Sequence, residues 1–159
     1  MMSRAYYSAT LERFQNDRND LILDELTRNH QFALEDLQRN AWITQIKLLK
    51  NALTGLPGCY LAFEYAIPRM GKRVDIVLLY QGVVFALEFK VGEKSYPNSA
   101  LEQSLDYAVD LKNFHEQSHN RAIVPIVVAT EADDCEPVIE SYPDRIFIPI
   151  KSNKNNFVS

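Results

Sequence analysis

Hydrophobic residues change their spacing along this chain, and the changes divide it into segments of different structure. Leu11, Phe14, Leu21, Ile22, Leu23 and Leu26 fit a short amphipathic helical region, interrupted by the polar, turn-like run Asn16 to Asp20. From about Gln31 to Thr54 the pattern is more strongly helical: Trp42, Ile46, Leu49 and Leu53 recur at helical spacing, and Gly55, Pro57 and Gly58 close the segment. Beyond that stop the period becomes alternating, and β-branched and aromatic residues fill three runs, 59–67, 73–80 and 83–90. Pro68 to Lys72 links the first two runs and the short step Gln81-Gly82 links the second pair, so three neighbouring antiparallel strands are expected.

Ser99-Ala100-Leu101-Glu102, just after Pro97, is a capping box, and predicts a helix running to about Gln117. Ala122 to Ala129 is almost continuously apolar, as a strand buried on both faces would be, so the helix reads as a crossover into a central strand. Residues 133–141 add a helical turn, and Arg145 to Ile150 reads as a last strand whose prolines mark an edge. The tail from Lys151 is polar, rich in Asn and expected to be loose. The order αβββαβ, with additions at both ends, predicts an α/β fold with a central mixed β-sheet flanked by helices. At 159 residues this is one domain over 1–150 with an N-terminal helical extension, followed by the tail 151–159.

Composition narrows the function. With 47% hydrophobic and 24% charged residues the chain has enough apolar surface to fold and is no disordered tail. Cys59 and Cys135 form no CxxC or Cys/His cluster, which leaves free thiols in a reducing cytoplasm rather than a zinc site or a disulfide framework. The N-terminus lacks a basic start followed by an apolar run, and no stretch approaches the length of a bilayer span, so secretion and membrane insertion are not expected. A net charge of -4 excludes a wholly basic surface, yet Arg69, Lys72, Arg73, Lys90 and Lys94 crowd one short stretch while acids dominate residues 12–25 and 131–144.

Candidate chemistry lies in that basic stretch. Alternation along Val83 to Lys90 sends Phe85, Leu87 and Phe89 one way and Ala86, Glu88 and Lys90 the other. Two opposite charges ending an apolar strand cost desolvation energy unless paired, hydrated or bound to an ion. The hairpin at Gln81-Gly82 brings Asp75 near them, with a register that a bulge would shift by one residue. Two carboxylates and a nearby backbone carbonyl, that of Phe89, suit magnesium, with manganese as a substitute. The Lys90 ammonium could then orient or help deprotonate an attacking water and offset charge on a phosphate, which is phosphodiester hydrolysis. The plainer alternative is a strand-end salt bridge between Glu88 and Lys90, with Asp75 merely ending a loop.

These residues resemble a known family. Arg73-Val74-Asp75-Ile76 and Leu87-Glu88-Phe89-Lys90, joined by a hairpin and preceded by a helix, look like the two motif strands of the PD-(D/E)XK nuclease superfamily, without the proline of the nominal motif. Gln103 and Tyr107, four apart on one helix face, resemble the accessory Gln-x-x-x-Tyr motif of its RecB-like members. The resemblance implies that they contact the DNA strand or support the site; alternatively Tyr107 packs with Phe114 and Gln103 is solvated. Glu64-Tyr65-Ala66-Ile67-Pro68 leading into Lys72-Arg73-Val74-Asp75, after the Trp42 helix, is most similar to the nuclease-like domain that precedes Schlafen-like P-loop helicases, over most of residues 5–130. No Walker motif is present.

The resemblance implies a restriction-endonuclease-like core and a magnesium-dependent deoxyribonuclease that leaves 5′-phosphates. Asp75 and Glu88 would hold metal and Lys90 would place the water. DNA would be the partner, with a helicase domain or a second copy of the chain as further partners. A further acid is often supplied by the first helix or first strand, where Glu35 and Glu64 compete; Glu64 is slightly favoured, its alternative role being a partner for Arg73 or Lys72. Arg69, Lys72 and Arg73 could meet phosphates flanking the scissile bond, or form a solvated turn. His30, His115 and His119 have no metal-ligand spacing and take no role. The rival of another class is a non-catalytic module that binds nucleic acid or a partner on the same fold.

Overall fold

The computed structural model describes residues 4–30, 35–67, 70–114, 120–133 and 139–152. Its first element, β1 (Tyr7–Thr10), was not foreseen: four residues are too few to display an alternating pattern. Its buried Tyr7 and Ala9 become a strand by pairing with a later one. The Thr10 hydroxyl then caps α1 (Leu11–Asn16) by accepting the Arg13 N–H. The polar run at Asn16 to Asp20 breaks the helical region as expected, and α2 (Asn19–Asn29) resumes it. Helix α3 (Asp36–Ala52) is the expected Trp42 helix, with Trp42, Ile46 and Leu49 buried along one stripe.

The three alternating runs are β2 (Tyr60–Ala66), β3 (Arg73–Tyr80) and β4 (Val83–Lys90). Gln81 and Gly82, with φ of 51° and 78°, close the β3–β4 hairpin; positive φ at both central residues matches the right-handed twist of the strands. Helix α4 (Asn98–Phe114) begins one residue before the capping box and crosses to β5 (Ile123–Ala129), parallel to β4. The sheet runs β1-β2-β3-β4-β5, closed by β6 (Ile150–Ser152). Pairings are antiparallel from β1 to β4 and parallel from β4 to β6. The protein is therefore an α/β fold with a six-stranded mixed sheet flanked by helices, as expected.

The last strand differs from expectation. Residues 145–147 make only isolated bridges, Ile146 to Ile123 and Phe147 to Ser141, and the ladder with β5 runs instead through Ile150, Lys151 and Ser152. Pro149 has no N–H to donate, so regular pairing starts after it. Lys151 and Ser152 consequently belong to the sheet and not to a loose tail, while residues 153–159 lie outside the described residues. Residues 139–141 are not helical; the rest of the expected turn at 133–141 is outside the described residues from 134 to 138.

Each face of the sheet carries its own core. On one, Leu61, Phe63, Ile76, Leu78, Leu87 and Phe89 pack with Phe14, Ile22, Leu26, Trp42, Ile46 and Leu49. On the other, Val77, Val84, Ala86 and Ile123 pack with Tyr107, Ala108 and Leu111 of α4. A fully buried side chain of this size contributes about 1.5–3 kcal/mol, so both faces pin the register of β3 and β4. Among the described residues no helix is long and apolar enough to cross a membrane.

Candidate active site

Register brings three acidic residues together. Phe63 pairs with Ile76 and Tyr65 with Val74, which leaves Glu64 opposite Asp75; Ile76 pairs with Leu87, so Asp75 stands opposite Glu88 one step further on. Glu64, Asp75 and Glu88 thus occupy one row across three adjacent strands. Alternation from Ala86 puts Glu88 and Lys90 on the α4 face, as the sequence pattern indicated.

Ladder pairing between β3 and β4 ends at Ile76 and Leu87, and there a side chain replaces the backbone. The Phe89 N–H donates to Asp75 Oδ2 at 2.9 Å. Asp75 therefore does not merely end a loop: it is a strand residue whose carboxylate fills the hydrogen-bonding position its own main chain has left. The N–H and C=O of one strand residue point to the same neighbour, so the Phe89 carbonyl is turned to the same side as Asp75.

Electrostatics marks the pair as out of the ordinary. Burial raises the pKa of Glu88 far above the usual carboxylate range, and the charge of Asp75 beside it pushes it further than the nearby Lys90 can pull it down. Asp75 is raised in turn by burial and by Glu64, against the opposing effect of the Phe89 N–H and Lys90. Without a bound cation, two such carboxyls resist ionising together. Glu88 Oε2 is buried and has no hydrogen-bond partner among the described residues. An orphaned buried oxygen beside a second carboxylate fits a hard divalent cation, which would satisfy the oxygen and remove the repulsion together.

Lys90 is partly exposed at the end of β4. Among the described residues it makes no ion pair within 4.0 Å, so the alternative of a Glu88–Lys90 strand-end salt bridge is not what the fold builds. Its charge still acts on both carboxyls from close by. Gln103 Nε2 donates to the Tyr107 hydroxyl at 2.6 Å, and Tyr107 is buried against the α4 face of the sheet. Tyr107 is neither isolated packing nor remote: burial raises its pKa, and the charges of Glu88, Asp75 and Glu64 raise it further. Accepting from Gln103 leaves the hydroxyl proton to be given elsewhere.

Of the two competing acids, Glu64 is beside the pair. Glu35 is exposed at the start of α3, whereas Glu64 is half-buried, and desolvation raises its pKa against the pull of Trp42, Arg73 and His30. Its backbone is left-handed, φ 53°, and its carboxylate accepts the Trp42 Nε1–H at 3.2 Å. That bond gives Trp42 a role that its core position alone did not reveal. The signal available was general: a buried indole N–H needs an acceptor.

The cations expected to meet phosphates are mostly engaged. Lys72 reaches Asp110 Oδ2 at 3.4 Å. Arg73 donates to the Glu64 carbonyl at 2.7 Å and lies 4.3 Å from the Tyr6 ring centre. Arg69 lies outside the described residues. His30 packs edge-on against Tyr6 and Trp42. Cys59 is buried with its thiol pKa raised, which makes it unreactive. Among the described residues no group of three or more His, Cys, Asp or Glu is arranged to hold a metal.

No family model, curated protein or solved structure matches this chain.

Proposed function

We propose that this chain is a divalent-cation-dependent nuclease of the PD-(D/E)XK type that hydrolyses phosphodiester bonds in DNA. The observation that carries the reading is the Asp75–Glu88 pair where β3 and β4 part, Glu88 buried and Asp75 half-buried, with Lys90 on the same face as Glu88. A structural pair of carboxyls so placed would destabilise the fold without return; such perturbed groups concentrate at functional sites. In this reading α3, β2, β3, β4, α4 and β5 form a restriction-endonuclease-like core.

Asp75, Glu88 and the Phe89 carbonyl would hold magnesium, with manganese as a substitute. When bound, the cation supplies a Lewis acid for the scissile phosphate and favours ionisation of the attacking water. Lys90 orients that water and offsets negative charge as it builds on the phosphate. Tyr107, fixed by Gln103, offers its hydroxyl to the same region, and Glu64 adds negative charge behind Asp75.

The test is incubation with single-stranded, duplex, nicked and branched DNA and magnesium, comparing wild type with Lys90→Ala and Asp75→Ala. Cation-dependent cleavage by wild type, reduced about 100-fold or more in both variants, is expected. Cleavage that survives unchanged in Lys90→Ala contradicts the mechanism. DNA binding with no response to magnesium in any variant favours the non-catalytic module.

A further inference from the structure

Resting on the nuclease reading, we propose that Lys151, held over the ring of Tyr96, contacts a backbone phosphate of the bound nucleic-acid strand about one or two nucleotides from the carboxylate pair. Neither residue stood out in the sequence, where Lys151 began the tail.

The need for such a contact follows from the engagement of Lys72 with Asp110 and of Arg73 with Tyr6 and the Glu64 carbonyl. A nucleic-acid strand still requires cations along its path. Among the described residues Lys90, Lys94 and Lys151 make no ion pair within 4.0 Å. Lys90 and Lys94 lie at and just beyond the C-terminal end of β4, and Lys151 sits in β6 on the far side of β5. The C-terminal end of parallel strands is where open α/β sheets take their ligands.

Register fixes where Lys151 stands. Glu88 pairs with Val127, and Val127 with Lys151, in parallel ladders that keep side chains on one face. Two strand spacings separate Glu88 from Lys151, about 10 Å. The rise of about 3.4 Å per phosphate is measured along the helix axis, and successive phosphates of one strand lie about twice that far apart, so this distance corresponds to about one or two nucleotides. The neighbouring Ser152 is buried, which holds β6 in place, while Lys151 is exposed.

Tyr96 presets the cation. Its hydroxyl donates to the Ser152 carbonyl at 2.7 Å, and the Lys151 ammonium lies 5.7 Å from its ring centre. A carboxylate partner would neutralise the ammonium and occupy its donors. An aromatic face restrains it and leaves N–H donors for a phosphate oxygen. Glu93 and Glu131, exposed on the loops after β4 and β5, keep this rim from being broadly basic, so the contact is a single point.

The experiment is fluorescence anisotropy with fluorescein-labelled single-stranded and duplex DNA in calcium, from 50 to 200 mM salt, with cleavage kinetics in magnesium alongside. Lys151→Gln should weaken binding about threefold to tenfold and reduce the magnitude of the log–log salt slope by about 0.7–0.9. It should raise KM and leave kcat unchanged. Tyr96→Leu should weaken binding in the same direction, and Lys47→Gln, on the exposed face of α3, should change neither affinity nor slope. Wild-type affinity and slope in Lys151→Gln would overturn the contact and leave the nuclease reading intact. Wild-type binding without cleavage would end the nuclease reading, with the slope still deciding Lys151; no binding by wild type would overturn both.

Discussion

Phe89 donates its N–H to Asp75 Oδ2 just beyond the last paired residues of β3 and β4, Ile76 and Leu87. The bond ties the metal-site hypothesis to the fold, because the carboxylate that would hold a cation also terminates the ladder. Asp75→Ala should remove the carboxylate this N–H donates to and cost about 1–3 kcal/mol in urea denaturation. Asp75→Asn keeps an acceptor oxygen and should fold with near wild-type stability. Both should lose about 100-fold or more of the cleavage activity.

Burial of the Glu88 carboxyl should limit stability at alkaline pH. A carboxyl whose folded pKa lies above its unfolded value binds more protons folded than unfolded. Its stabilising effect is full at low pH and is lost as pH rises from the ordinary carboxylate range through the folded value. Both Asp75 and Glu88 are raised, so without divalent cation Tm should fall between about pH 5 and 9. Glu88→Gln should flatten that fall and raise Tm at alkaline pH by about 2–4 °C, equivalent to about 1 kcal/mol. A thermal melt across pH, in EDTA, checks this; a wild-type Tm that rises with pH contradicts it.

Tyr107→Phe separates packing from chemistry. The ring stays in the core with Ala108 and Leu111, so denaturation should change by less than about 1 kcal/mol. Losing the hydroxyl that accepts from Gln103 should lower kcat about tenfold. Equal activity of the two proteins would reduce Tyr107 to a core residue.

Trp42→Phe tests the link between α3 and the acidic row. The substitution keeps an aromatic ring but removes the donor to Glu64 Oε1, and should cost about 1–3 kcal/mol by circular dichroism in urea. Glu64→Gln retains an acceptor for the indole. It should keep the stability and lose activity about tenfold if the carboxylate charge matters at the centre.

Much of the fold was legible because burial enforces period. The alternating runs that became β2, β3 and β4 each bury a face, and the Gln81-Gly82 step has the chemistry of a two-residue turn. Elements defined by partners rather than by their own residues were not legible. Strand β1 is four residues long and exists because Tyr7 to Thr10 meets β2, and β6 starts at Ile150 because Pro149 interrupts pairing.

The site divides along the same line. That Glu88 and Lys90 share a face follows from alternation, and the proximity of Asp75 from the hairpin, so these could be read from spacing. That Arg73 turns back onto Tyr6, that Lys72 meets Asp110, and that Glu64 binds Trp42 depend on the three-dimensional paths of distant segments. Charge in a loop before a strand indicates availability, not direction.

Calorimetric titration of manganese into the protein at pH 8, with wild type, Asp75→Asn and Glu88→Gln, tests the central claim most directly. A single cation-binding event is expected in wild type, accompanied by proton release as the raised carboxyls ionise, with affinity reduced about tenfold or more in each variant. No binding by wild type, or equal binding by all three proteins, would contradict it.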